Sequence, residues 1–158
     1  AIVDDLPEFV YLQRKARVWG VEAEASAQVA HLGGFDIAVD GVADYTRANI
    51  RGGGPAPRIP PLRLLGGLEL QSANLDARAE VEWNADQDRI AGFETPTDGF
   101  TMVNASLTWR LFGNERNISL IAAANNIFDV DARRAASFTK DFVPLSGRDF
   151  RVTARLSF

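Results

Sequence analysis

One stretch of the sequence alternates apolar and polar residues without interruption, and this period constrains the fold more than any other feature. From Leu75 to Ala85, every odd-numbered residue is apolar and every even-numbered residue is polar or charged. Side chains of a β-strand point alternately to its two faces, so the segment has one apolar face and one charged face. A helix would scatter the same charges around its circumference. The segment is therefore predicted to be a strand.

The same period returns along the chain and predicts an all-β, antiparallel protein without helices. Seven segments are interpreted as strands: 19–29, 35–46, 62–72, 75–85, 103–111, 117–126 and 150–158, with 62–72 and 117–126 less regular than the rest. The first of them lies within a stretch, 8–30, that is long enough for two strands around Arg14 and Lys15. A count of eight strands therefore stays open beside seven.

The connections between these segments alternate in length. Short turns are predicted at 31–34, 72–74 and 112–116, and long loops at 49–61, 86–98 and 127–146. In an up-and-down arrangement all the short turns lie at one end of the sheet and all the long loops at the other. Outer-membrane barrels have this asymmetry, with short periplasmic turns and longer extracellular loops. The lengths therefore favour antiparallel strands of a transmembrane β-barrel.

Aromatic residues mark both ends of the apolar faces. Phe35 and Tyr45 share one face ten positions apart, and Phe150 and Phe158 share another face eight positions apart. Tilted strands of this length span about 20–25 Å, which is the height of the apolar band of such barrels. The opposite faces carry too many charges for a sealed core. They are predicted to line a wet lumen, although a soluble β-sandwich or lipocalin-like binder remains an alternative.

The composition excludes several function classes. The chain of 158 residues has no cysteine and a formal net charge of −4. A thiol nucleophile, a cysteine-based zinc site and a nucleic-acid interface, which needs clustered Lys and Arg, are therefore not expected. His31 is the only histidine, and no Gly-x-Ser-x-Gly elbow accompanies it. No enzyme activity and no cofactor are predicted, and no metal ligands are assigned.

Four short motifs, in this order, resemble the C-terminal part of TonB-dependent outer-membrane receptors. They are the stretches 18–24 (VWGVEAE), 57–61 (PRIPP), 125–129 (NNIFD) and 144–150 (PLSGRDF), and the chain stops on an aromatic residue, Phe158. The resemblance covers essentially all of residues 1–158. It implies about seven or eight strands of a 22-stranded barrel, with the plug domain and the TonB-contacting box absent from this chain. Single-chain bacterial barrels have an even number of strands. A count of seven is odd, so it favours part of a larger barrel over a complete one.

The resemblance also implies a function and a location. The intact protein would be a receptor in the bacterial outer membrane that takes up a scarce nutrient, such as a metal chelate or siderophore, with energy delivered by the TonB system. Its partners would be outer-membrane lipid, lipopolysaccharide and the barrel-assembly machinery. A self-contained small barrel with a structural or adhesive role is the alternative from another class.

Two sets of residues are candidates for function. The final strand exposes an unpaired edge before the barrel closes, and the resemblance implies that the assembly machinery reads it, with Phe158, Leu156 and Phe150 as the signal. The long loops contain charged residues that are candidate extracellular contacts: Arg58, Asp86, Asp88, Arg133, Arg134 and Lys140. The arginines and the lysine suit an anionic substrate or a lipopolysaccharide phosphate, because both offer oxygen acceptors to cationic donors.

Overall fold

A computed structural model describes residues 2–3, 6–7, 13–114 and 118–156 of the chain. Its strands are β1 (Ile2–Val3), β2 (Leu6–Pro7), β3 (Ala16–Leu32), β4 (Phe35–Ile50), β5 (Gly54–Pro55), β6 (Arg63–Gln71), β7 (Leu75–Asn84), β8 (Phe100–Asn114), β9 (Ile118–Asn125) and β10 (Asp149–Leu156). Within these ranges no helix is long and apolar enough to span a membrane.

The seven long strands form one antiparallel meander. Their order in the sheet is β10-β9-β8-β7-β6-β4-β3, the short β5 pairs with the end of β4, and β1 pairs only with β2. Strands β3 and β10 each have one partner among the described residues, so the sheet is open at both sides. The prediction of about seven antiparallel barrel strands is confirmed. Residues 16–32 form a single strand, and residues 8–12 of the eight-strand alternative lie outside the described ranges.

The described turns follow the predicted alternation of lengths; of the predicted turn 112–116, residues 112–114 belong to β8 and the rest lie outside the described residues. Gly33 and Gly34 both have positive φ, 59° and 81°, which suits the tight hairpin between β3 and β4. That turn is shorter than the predicted 31–34, because His31 and Leu32 still pair with Asp36 and Phe35. Long connections follow β4, β7 and β9, so the three long loops lie at one end of the sheet.

The apolar face of the sheet is exposed and is bordered by aromatic residues at both ends. Trp19, Tyr45, Trp83 and Phe150 lie toward the long loops, and Phe35 and Trp109 lie toward the short turns. Trp19 and Tyr45 contact each other edge to face, with ring centroids 5.7 Å apart. Because aromatic residues concentrate at both membrane–water interfaces, this outer face has the pattern of a barrel wall in a bilayer.

The packed core within the described ranges lies on the other face, at the long-loop end. Phe100 and Met102 of β8 contact Ala132 of the last long loop, and Val130 and Leu145 pack against them. These two β8 residues lie directly opposite Asn84 and Glu82 of the charged β7 face. The last long loop is therefore folded against the polar side of the sheet.

Candidate functional site

Four arginines on or above the polar face of the sheet are each matched to a carboxylate on another element. Arg63 Nε donates to Asp44 Oδ2 at 2.7 Å, and Arg78 binds Asp40 through two nitrogens at 2.5 and 2.9 Å. Two further pairs are Arg110 with Asp76 and Arg134 with Glu82. The three pairs within the sheet are partly exposed, and each contributes about 0–1 kcal/mol. Their main consequence is a face that is highly polar but locally neutral.

Gly67 makes the central ion pair possible. It lies on β6 between Glu80 of β7 and Asp40 of β4 in the sheet register, and the Arg78–Asp40 pair crosses β6 over it. A Cβ atom at this position would come within 2.5 Å of both Arg78 Nη2 and Asp40 Oδ1. Because Gly67 has no side chain, the space above β6 is free for the Arg78 and Asp40 side chains to reach each other.

The last long loop, residues 126–148, is tied to the sheet by Asn126, which is 1% exposed. The Asn126 backbone amide donates to Asn104 Oδ1 of β8 at 2.9 Å. Its side chain donates to the carbonyl oxygens of Val130 and Ser146, and its Oδ1 accepts from the Val130 amide. Asn126 thus links both ends of the loop to β8. Its buried polar atoms all have hydrogen-bond partners, as buried polar groups generally require.

Arg134 projects from this loop onto the wall of the sheet. Its guanidinium group donates to both carboxylate oxygens of Glu82, which is 6% exposed, and lies 5.3 Å from the centroid of the Phe100 ring. Asn84 Nδ2 donates a further hydrogen bond to Glu82 at 2.9 Å. A buried carboxylate needs such partners, because an isolated buried charge is strongly unfavourable.

Lys140 joins the last long loop to the middle one, residues 85–99. Its side chain is buried, and its ammonium group donates to the Thr95 carbonyl oxygen and to Thr97 Oγ1. Next to it, the Thr95 hydroxyl donates to Asp141 at 2.5 Å, and Arg133 donates to the Lys140 carbonyl oxygen at 2.5 Å. Lys140 and Asp141 therefore cross-link the last loop to Thr95 and Thr97 of the middle loop, whereas the Arg133 contact lies within the last loop.

A polar cavity of about 380 Å³ lies between these loops and the sheet, and we call it the mouth pocket. The charged and amide residues that line it are Asp44, Arg63, Asn84, Asp98, Arg133 and Arg134. Arg63 uses Nε on Asp44, so its two terminal nitrogens have no partner among the described residues. The pocket offers guanidinium donors and carboxylate acceptors side by side, which suits a polar ligand that hydrogen-bonds through several oxygens or nitrogens.

The structure brings only some of the predicted loop contacts together. Arg133 and Arg134 line the mouth pocket, and Lys140 holds the loop beside them. Arg58 lies apart, with its guanidinium 3.1 Å from the centroid of the Phe138 ring and its amide bound to Glu94. Asp86 and Asp88 line a different cavity on the outer side of the sheet.

Sequence reasoning missed the wall of the mouth pocket. Asp44, Arg63, Glu82 and Asn84 all belong to regular strands, where their alternation identified the polar face but not a site. The motif 57–61 lies just before Arg63. It was the available signal that Arg63 lies at the start of its strand, next to a long loop. Of the assembly-signal residues, Phe150 and Leu156 are exposed on the outer face, and Phe158 lies outside the described residues.

In the part of the chain that the structure describes, the remaining titratable residues form no recognisable reaction centre. His31 is exposed at the short-turn end, with Nδ1 2.8 Å from Asp36 Oδ1. Among the described residues, no three His, Cys, Asp or Glu side chains are grouped so that they could hold a metal ion.

An open antiparallel meander with an aromatic-bordered apolar outer face and an ion-paired inner face defines part of the wall of a transmembrane β-barrel. The family model described as TonB dependent receptor-like, beta-barrel matches residues 3–127, and the chain belongs to this family. Both expectations, the resemblance and the fold class, are confirmed. The family comprises receptors and transporters rather than enzymes, and it points to the bacterial outer membrane.

A solved structure gives an independent likeness. The structure named copper transporter OprC superposes with a TM-score of 0.79 at 26% sequence identity, over 92% of this chain. The alignment covers 24% of that protein, so the chain spans about a quarter of its length. No curated protein matches the chain.

Proposed function

We propose that residues 1–158 form the C-terminal part of the barrel of a receptor that imports a scarce nutrient across the bacterial outer membrane. The plug domain and the segment that contacts TonB would belong to other parts of the full-length protein. In this proposal the chain supplies a stretch of barrel wall, a polar lumen face and three extracellular loops. TonB supplies the energy, and the barrel-assembly machinery inserts the protein, with Phe150, Leu156 and Phe158 as the recognised strand.

The mouth pocket is the observation that carries this proposal. It lies at the long-loop end and is continuous with the ion-paired lumen face through Asp44 and Arg63. A ligand captured by the loops would therefore meet polar groups at the entrance and a polar wall below it. The shared guanidinium and carboxylate lining favours a polar nutrient complex, such as a metal chelate or siderophore. The copper named for the similar structure supports a nutrient that contains a metal.

The test is uptake by the full-length protein in a strain that lacks the native gene. Radiolabelled metal chelates would be supplied under starvation, with and without a functional TonB system. We expect Arg133→Gln to lower uptake about tenfold, since one charge-assisted contact is worth about 1.5–3 kcal/mol. Arg155→Gln is the matched control, because Arg155 is exposed on the lumen side of β10 and lies outside the pocket.

The amount of protein in the outer membrane is measured for each variant. Uptake that is independent of both the gene and TonB would contradict the proposal and favour a barrel with a structural or adhesive role. Equal uptake by Arg133→Gln and wild type would remove the mouth pocket from the transport path.

A further inference from the structure

The charged groups of the mouth pocket are nearly balanced in sign. The pocket is lined by three arginines and two aspartates, namely Arg63, Arg133, Arg134, Asp44 and Asp98. Two carboxylates outside the lining pair with two of these arginines: Glu82 with Arg134, and Asp131 with Arg133. Three positive charges therefore face four negative ones. A ligand that carries a single charge gains little from such a site, whereas a ligand that carries both charges is complementary to it.

Arg63 has the free donors of the pocket. Its Nε donates to Asp44 Oδ2 at 2.7 Å, and its two terminal nitrogens have no partner in the described part of the chain. Arg134 uses both of its terminal nitrogens within the protein, and Arg133 uses one of them. Asp44 therefore holds the Arg63 guanidinium group from one side. The two terminal nitrogens remain available, and they match the two oxygens of a carboxylate.

Asp98 has the free acceptors of the pocket. It is exposed in the middle loop and forms no hydrogen bond or ion pair with any described residue. Asp44, the other lining carboxylate, is already bound to Arg63. An unpaired carboxylate binds an ammonium group through charge-assisted hydrogen bonds.

The two free groups lie within reach of one small ligand. Asp98 precedes Gly99, whose amide donates to Asp86 Oδ1 at 2.6 Å. A Cβ atom at Gly99 would lie 2.5 Å from the Asn84 carbonyl oxygen, so the middle loop passes close to the end of β7 here. Asn84 is paired with Arg63 in the register of β6 and β7. The backbones that carry Asp98 and Arg63 are therefore two strand spacings, about 10 Å, apart.

We infer that the mouth pocket binds a zwitterionic group, in which an ammonium and a carboxylate lie a few atoms apart, as in amino acids and short peptides. The carboxylate binds the terminal nitrogens of Arg63, and the ammonium binds Asp98. The inference rests on the proposed function, and it narrows the nutrient to one that carries such a group. The cavity of about 380 Å³ is small for a ligand site, since such sites measure about 300–1,000 Å³, and it suits a group of this size.

The test uses four forms of one dipeptide, dialanine, that differ only in the charges of their ends. They are the free dipeptide, the N-acetylated form, the C-amidated form and the form blocked at both ends. Their affinities for the full-length protein in a neutral detergent are measured by isothermal titration calorimetry. We expect the free dipeptide to bind about tenfold more tightly than either singly blocked form, because blocking one end removes one charge-assisted contact. The doubly blocked form binds most weakly.

Two variants separate the two ends. Arg63→Gln weakens the binding of the two forms with a free carboxylate about tenfold and leaves the amidated form unchanged. Asp98→Asn weakens the binding of the two forms with a free amine about fivefold and leaves the acetylated form unchanged. A variant that merely loosened the loops would weaken all four forms alike. Arg155→Gln and Glu24→Gln are the matched controls and bind like wild type, because both residues are exposed outside the pocket.

Equal affinities of the four forms for the wild type, or no binding of the free dipeptide, overturn the inference. A uniform loss across the four forms in both variants also overturns it. If Arg63→Gln does not fold, Asp98→Asn decides alone, and unchanged affinity for the free dipeptide contradicts the site. Uptake of metal chelates by the wild type is measured in parallel. Uptake that is independent of the gene and of TonB refutes the receptor, whereas dependent uptake without a preference among the dipeptides refutes only this inference.

Discussion

At the scale of single residues, the lumen face depends on where side chains are absent as much as on where they are charged. The bidentate Arg78–Asp40 contact joins two strands that are not neighbours, and Gly67 lies on the strand between them. Its neighbour Gly66 faces the outside, and a Cβ there would have no atom within 4 Å. The two adjacent glycines therefore have different physical roles.

We predict that Gly67→Ala destabilises the full-length protein by about 1–3 kcal/mol, because the new methyl group displaces one member of the Arg78–Asp40 pair. Gly66→Ala is the control and is expected to be neutral or slightly stabilising, since alanine is less costly to order than glycine. Urea unfolding in lipid vesicles gives both values. Similar urea midpoints for the two variants would show that the Arg78–Asp40 pair does not need the free space above Gly67.

At the scale of elements, the strands could be predicted from the sequence and the contacts between them could not. Alternation assigned Arg78 and Glu82 to the polar face, because a period of two determines the face of every residue in a strand. Their partners Asp40 and Arg134 are 38 and 52 residues away in sequence. Such contacts depend on strand register and on how an irregular loop folds back, and neither leaves a periodic signal.

The cross-link between the middle and last long loops gives an element-scale prediction. Lys140→Met keeps the buried apolar stem but loses the donors to Thr95 and Thr97. We expect hydrogen exchange of the amides in 94–98 and 132–145 to accelerate about tenfold or more, because these two segments lose their shared contact. The strands should exchange as in wild type.

Lys15→Met is the matched control, since Lys15 is the only other lysine of the chain and is exposed just before β3. Hydrogen exchange followed by mass spectrometry resolves the two loops from the sheet. Unchanged protection of both loops in Lys140→Met would mean that the other contacts, such as Arg134 with Glu82, hold them without the lysine.

At the scale of the whole molecule, the two open sides of the sheet and its two unlike faces have one physical explanation. Strands β3 and β10 leave backbone N–H and C=O groups without partners among the described residues, and hydrocarbon cannot hydrogen-bond them. A sheet with an apolar outer face therefore needs further strands that pair with β3 and β10 before it is stable in a bilayer. Family membership and the likeness to a larger transporter agree with this requirement.

The orientation of the whole sheet is tested by placing a lysine on each face at the same depth. Leu107 lies on the outer face in the middle of β8, and the next residue, Thr108, lies on the lumen face opposite Asp76. We predict that Leu107→Lys destabilises the folded full-length protein by about 2–4 kcal/mol, because the ammonium group is placed in hydrocarbon. Thr108→Lys should cost less than about 1 kcal/mol, since it meets water and a carboxylate. Unfolding in vesicles of defined thickness measures both. Equal costs, or a larger cost for Thr108→Lys, would contradict the assigned faces and with them the position of the lumen and of the mouth pocket.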